Sequence, residues 1–158
     1  MPDDTVMAWH FVGASLRNGR AVPPDGEWLE HDGPLVMCER GLHASEHPSD
    51  ALQYAPGSTL CRVECEGVVR GAGDNADKLI CRRRRIVARI DATAILWEHA
   101  RWCALQVAHL WTMPDVVRRY LETGDESMRA AAWAAAWAAQ RVHFGALVTR
   151  TMGEPDAR

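Results

Sequence analysis

Alternating apolar and polar positions dominate the first half of the chain. Residues 59–66 (TLCRVECE) alternate in this way, which predicts a strand with one buried face. The alternating residues 7–12 predict a first strand, and two further runs predict a short strand over residues 34–38 and a long one over 79–90. Residues 13–33 contain the turn sequences PPDG and HDG and are predicted to form a loop.

One short helix is predicted inside this strand-rich half. Pro48 suits the first position of a helix, where a backbone N–H has no helical partner, so the helix is predicted to begin there. It would continue through Tyr54, and the sequence Ala-Pro-Gly that follows would end it.

Helical signals dominate the second half. A helix capped by Asp91 or Thr93 is predicted to extend through Trp111. Pro114 is placed to begin a second helix that Gly124 ends.

A third helix, capped by Asp125, contains the sequence AAAWAAAWAAQ. Trp133 and Trp137 lie four residues apart and therefore share one face. That face either packs on the core of the domain or docks a second copy or another protein, since exposed tryptophan is a frequent interface anchor. Trp133 and Trp137 are therefore candidate partner-binding residues. If the face docks a second copy, the chain forms a homodimer through this C-terminal helix.

The order of elements predicts an α+β fold. We expect a small, mostly antiparallel sheet with one inserted helix, followed by about three C-terminal helices packed on the sheet. The 158 residues suit a single domain, with a strand-rich part (1–91), a helical part (92–150) and a disordered tail (151–158).

Composition narrows the class of protein. The chain is 47% hydrophobic, and no apolar run is long enough to span a membrane. The N-terminal residues do not resemble a secretory signal, so we expect a cytoplasmic protein. An odd number of cysteines, five, argues against a disulfide framework, and a net charge of −3 does not favour nucleic acid as a partner.

The segment CERGLHASEH (residues 38–47) holds the densest set of reactive groups. Cys38 and His43 could bind zinc with Cys61 and Cys65, but two residues four apart on a strand lie about 13 Å apart, so we expect no metal. Alternatively, Cys38 could act as a nucleophile beside His43 or His47.

The run of four arginines, residues 82–85, could contact phosphate. On a strand the arginines alternate between the two faces, and one pair could meet Glu64 and Glu66 across a neighbouring strand. If the run contacts phosphate, Arg82 and Arg84 are the candidate partner-binding residues.

Two segments resemble ADP-ribosyltransferases. The sequence WHFVGAS (9–15) is similar to the first strand of that fold, and GLHAS with the following DALQY (41–54) is similar to a later strand and helix. The resemblance implies that His10 contacts the ribose of NAD and that Tyr54 stacks on the nicotinamide. The catalytic candidates are therefore His10, His43, Tyr54 and Glu66, and the NAD-binding candidates are His10 and Tyr54, although residues 79–90 lack the glutamate that this fold carries on a late strand.

A broader resemblance covers residues 9–140. The segments DGPLVMCERGLHAS, DALQYAPG, CRVECEG and DKL resemble an uncharacterised family of phage and bacterial proteins, many of which carry Ala/Trp-rich C-terminal repeats. The resemblance implies a phage or mobile-element context, in the cytoplasm of a bacterial host cell, and brings no activity with it.

Three functions follow, in this order. The first is a phage accessory protein without a cofactor that binds an unidentified protein partner, for example in counter-defence. The second is an NAD-using enzyme of the ADP-ribosyltransferase type, which requires His10, His43 and Tyr54 to lie around one cleft. The third is a nucleic-acid-associated protein that uses the arginine-rich strand.

Overall fold

The computed structural model describes residues 5–152, which form strands in the first half and helices in the second. The strands are β1 (Val6–Val12), β2 (Trp28–Glu30), β3 (Leu42–Ala44), β4 (Thr59–Glu66), β5 (Val69–Arg70), β6 (Leu79–Cys81) and β7 (Arg83–Asp91). The α-helices are α1 (Pro48–Leu52), α2 (Thr93–Gln106), α3 (Asp115–Thr123) and α4 (Arg129–Met152), with short 3₁₀ helices at Gly73–Asn75, Ala108–Leu110 and Glu126–Met128.

The strands form two antiparallel sheets. Four strands follow the order β1-β4-β7-β2, and three follow the order β3-β6-β5. The predicted α+β class, with an antiparallel sheet and an inserted helix, is confirmed, although the sheet is divided in two.

Strand β4 lies at the centre of the larger sheet and shows the predicted alternation. Its residues Cys61, Val63 and Cys65 are fully buried, whereas the residues between them are partly exposed. Burying apolar area contributes about 25 cal/mol per Å², so this face anchors the first core. The other members of that core are Ala8, Val12, Ala44, Leu79, Cys81 and Ile86.

Three strand predictions were wrong in detail. Residues 34–38 form a turn closed by the Val36–Arg40 bridge rather than a strand, with Cys38 in the left-handed region at φ 66°. Residues 79–90 are two strands, because the chain passes from the smaller to the larger sheet at Arg82. Strand β2 lies inside the predicted loop and pairs with β7.

The predicted helix ends agree more closely with the structure than the predicted strands do. Helix α1 begins at Pro48, with His47 as its N-cap, and α3 ends before Gly124, which takes φ 67°. Helix α2 ends at Gln106, short of the predicted Trp111. Asp125 caps the 3₁₀ helix before α4, and α4 continues to Met152; the rest of the predicted tail lies outside the described residues.

The chain divides into two compact units, one that extends to Ala94 and one that begins at Ile95. The second unit has its own small core of Ala108, Met113, Val117 and Ala132. The boundary lies close to the predicted change from strands to helices at residues 91 and 92, and the single-domain assignment stays a prediction. Within residues 5–152, no helix combines the length and hydropathy that crossing a membrane requires.

Candidate functional site

The first unit contains a cavity of about 520 Å³, which is within the usual range for small-molecule sites. Strand β1 and residues 38–45 form much of its wall. The side of β1 that carries His10 faces the same way as Cys61, because these two residues are directly paired. His10, His43 and Tyr54 all line this cavity, so the structure brings together the three residues of the NAD hypothesis.

The His10 imidazole is electrically neutral at physiological pH. Burial lowers its pKa well below the ordinary value, and the positive charge of Arg84 and the neighbouring His43 lower it further. A neutral imidazole carries one N–H donor and one acceptor nitrogen, which suits hydrogen bonding to a ligand hydroxyl.

His43 lies on β3 and shares this environment. Burial is the largest cause of its lowered pKa, followed by the charges of Arg84 and Arg17, while a backbone hydrogen bond with Gly41 acts in the opposite direction. Its Nε2 atom is buried and has no hydrogen-bond partner among residues 5–152. A buried ring nitrogen without a partner is unfavourable, so this atom is suited to bonding a ligand group.

Tyr54 lies just after helix α1, at the rim of the cavity, and its hydroxyl donates a hydrogen bond to the Asp77 carboxylate. This bond is the main cause of a lowered Asp77 pKa. The Lys78 ammonium lies 4.7 Å from the centroid of the Tyr54 ring and 3.8 Å from the Cys38 sulfur. The tyrosine is therefore held in a fixed position beside a cation.

Arg84 lines the cavity from strand β7. It pairs with Cys65 and lies on the core-facing side of the sheet, where only 5% of its surface is exposed. Its Nη1 donates a hydrogen bond to the carbonyl oxygen of His43. Because Arg84 is buried, the partner-binding role predicted from the arginine run does not fit its position.

Charge in the cavity is mostly positive. Among the described lining residues, Glu39 is the one that carries a carboxylate. The cationic lining side chains are Arg17, Arg40, Lys78 and Arg84. An excess of positive charge inside a chain with a net charge of −3 favours an anionic ligand.

Glu66 lies apart from this cavity. It alternates with the buried Cys65 on β4, so it points to the opposite face of the sheet, where Arg83 lies 2.6 Å away. The fourth catalytic candidate is thus not brought together with His10, His43 and Tyr54.

The cysteines of the zinc hypothesis are also separated. Cys38 is exposed at the cavity rim and donates a hydrogen bond to Asn75, whereas Cys61 and Cys65 are buried. The structure shows no group of three or more metal-ligating side chains within its described part. His47, the other histidine proposed beside Cys38, bonds to Ser49 as the cap of α1.

Sequence reasoning overlooked three residues of the site. Arg17 lies in the predicted loop over residues 13–33, and Asp77 and Lys78 come just before β6, outside the predicted strands, so no periodicity marked them. Lys78 had one usable signal, because it is the single lysine of the chain.

In the second unit, Trp133 and Trp137 share a face of α4 as predicted, with stacked rings 6.3 Å apart. They are 72% and 59% exposed. Arg82 is exposed as well, and it donates a hydrogen bond to the carbonyl oxygen of Gly33.

The first unit is therefore an α+β domain with two antiparallel sheets and a positively charged cavity. The chain belongs to the family described as a domain of unknown function (DUF7666), whose model matches residues 6–99. This membership confirms the expected relationship to an uncharacterised family, and the matched residues include His10, His43, Tyr54 and Arg84. No curated protein and no solved structure matches the chain.

Proposed function

We propose that the first unit is a binding module for a small organic ligand with a planar ring, and that NAD is the first ligand to test. One observation carries this proposal: His10, His43 and Tyr54, which are far apart in the sequence, line the same cavity. The neutral imidazole of His10 suits a ribose hydroxyl, His43 supplies a second hydrogen-bonding ring, and aromatic side chains in the wall suit a planar ring.

The chemistry of the lining supports binding rather than group transfer. Of the described carboxylates, Glu39 lines the cavity at an exposed position, whereas Asp77 bonds to Tyr54 and Glu66 to Arg83. A transferase that stabilises a cationic sugar in its transition state requires a carboxylate beside that sugar. We therefore place the domain among ligand-binding modules.

Thermal unfolding of the full chain with millimolar NAD tests the proposal. A ligand that binds only the folded state raises the melting temperature. The variants His10→Ala and Tyr54→Ala should lose this rise, while His143→Ala, at an exposed position on α4, should keep it. If NAD does not shift the wild-type chain, NAD is not the ligand.

The exposed tryptophans of α4 favour a second candidate function, a phage or mobile-element accessory protein that binds another protein. Trp133 is 72% exposed, an unusual exposure for so large an apolar side chain. The double variant Trp133→Ser/Trp137→Ser should lose a partner that co-purifies from a bacterial lysate, or should lose concentration-dependent dimerisation in sedimentation measurements. The variant Val142→Ser, on the same helix, is the matched control. If the double variant behaves like the wild type in both measurements, these tryptophans are not the interface.

A further inference from the structure

Arg84 is a buried cation that lacks a carboxylate partner among the described residues. Its side chain is 5% exposed, and the hydrogen bond from Nη1 to the carbonyl oxygen of His43 leaves most of its five N–H donors unused. Two other arginines of the same run do have carboxylate partners, because Arg83 and Arg85 each contact a glutamate at 2.6 Å.

The ionisable groups that act on Arg84 are thiols rather than carboxylates within residues 5–152. Its nearest ionisable neighbours include the thiols of Cys61, Cys65 and Cys81. Burial raises the pKa of Cys61, so this thiol is neutral; the pKa of Cys81 is lowered, mainly by a hydrogen bond with Cys65, and its S–H donates to the carbonyl oxygen of Leu42 at 3.2 Å. A buried guanidinium without a counter-charge is costly to the folded protein unless a ligand supplies that charge.

The opening beside Arg84 holds a second unsatisfied group. His43 offers its carbonyl oxygen to Arg84 and also carries the buried Nε2 atom that has no partner in residues 5–152. Both residues line the cavity, where cationic side chains outnumber carboxylates. The remaining guanidinium N–H groups of Arg84 match the geometry of a phosphate or carboxylate group, and an anion bound there would favour the charged form of His43, whose Nε2 would then donate a hydrogen bond to it.

We propose that Arg84 and His43 form an oxyanion-binding site inside the cavity, which holds the phosphate or carboxylate group of the ligand. The inference rests on the proposed function, since the ligand whose ring meets Tyr54 also carries the anion. In NAD that anion is the pyrophosphate.

Binding of simple anions to the full chain tests this site. The probes are inorganic phosphate, pyrophosphate, ADP-ribose and succinate, each titrated at constant ionic strength and followed by calorimetry and thermal unfolding. At least one of them should bind, and Arg84→Met should weaken it by roughly ten- to hundredfold, as expected for loss of a charge-assisted hydrogen bond. Without ligand, Arg84→Met should melt at the same temperature as the wild type or higher, because it removes an uncompensated buried charge.

Two further variants complete the experiment. Arg84→Lys should bind the anion at an intermediate strength, since an ammonium keeps the charge and loses the fork; it also tests the site if the methionine variant does not fold. Arg82→Met removes an exposed charge two residues away and should bind as the wild type does.

The outcomes separate this inference from the proposed function. Binding of phosphate or pyrophosphate identifies a phosphate site, and binding of succinate alone identifies a carboxylate site. If pyrophosphate binding depends on Arg84 while NAD has no effect, the anion site stands and NAD is excluded. If no anion binds, or if the Arg84 variants bind as tightly as the wild type, the oxyanion site is wrong, even where NAD still binds.

Discussion

The guanidinium of Arg83 lies 2.6 Å from the carboxylate of Glu66 on the neighbouring strand β4. Arg85 and Glu64 form an equivalent pair at 2.6 Å. The Trp28 ring is contacted by both guanidinium groups, at 4.4 and 4.7 Å from its centroid. The positive charges of Arg83 and Arg85 are thus neutralised by glutamates of the protein itself.

Weak binding to nucleic acid follows from this compensation. The full chain should not be retained on heparin or DNA at low salt, because two glutamates already neutralise Arg83 and Arg85 and because Arg84 is buried. The double variant Glu64→Gln/Glu66→Gln should gain salt-sensitive retention. Strong retention of the wild-type chain would instead support a nucleic-acid-associated protein, the third function predicted from the sequence.

The two partly buried histidines of the cavity predict a loss of stability in mild acid. Folding lowers the pKa of His10 and His43 below the ordinary value of 6.5, so the unfolded chain binds more protons between the folded and unfolded values. The stability that the neutral rings provide is complete above pH 6.5 and decreases as the pH falls below it. Urea unfolding at about pH 7.5 and about pH 5 should show a lower midpoint at the lower pH.

A histidine variant and the carboxylates provide controls for this measurement. His10→Asn should reduce the change in midpoint. Hydrogen bonds with Thr93 and Ser127 are the main cause of the lowered pKa values of Asp91 and Asp125. These two carboxyl groups change the free energy of unfolding only below pH 3.8, which is outside the pH range of this measurement. Equal midpoints at both pH values would show that the two rings are not held in the neutral form.

Two glycines of the second unit should respond to alanine in opposite directions. Gly124 ends α3 at φ 67°, so Gly124→Ala should destabilise the protein by about 1–2 kcal/mol. Its new Cβ would also lie 2.7 Å from the Arg101 guanidinium, which would have to move. Gly145, inside α4, has open space around it, and Gly145→Ala should stabilise that helix by about 0.5–1 kcal/mol. Chemical denaturation measures both, and a destabilising effect at Gly145 would contradict this account of α4.

Thiol labelling provides a test of the cavity that does not depend on a substitution. Cys38 and Cys103 are exposed and should react in the native protein, whereas Cys61, Cys65 and Cys81 should react only after unfolding. Because Cys38 lines the cavity, a bound ligand should slow its alkylation. Cys103, in helix α2, is the internal control and should react at the same rate with and without ligand. Equal protection of both cysteines would indicate a general effect of the ligand on the chain.

The signals that predicted correctly from the sequence are local ones. Alternation in residues 59–66 marks a half-buried strand because successive side chains point to opposite faces. Pro48 and Gly124 mark helix ends because their backbone preferences act within a single turn. The pairing of two alternate arginines with Glu64 and Glu66 was also predicted, since residues two apart on a strand share a face, and Arg83 and Arg85 form it.

The tertiary structure decided everything that depends on long-range pairing. The switch between sheets at Arg82, the turn that holds Cys38 and the placement of β2 each depend on partners distant in the chain. The sequence by itself determined the local elements and named His10, His43 and Tyr54 as candidates. Only the folded chain placed those residues around one cavity and buried Arg84 there without a carboxylate partner in the described part of the chain, because burial and convergence arise from packing between elements rather than from the pattern within one.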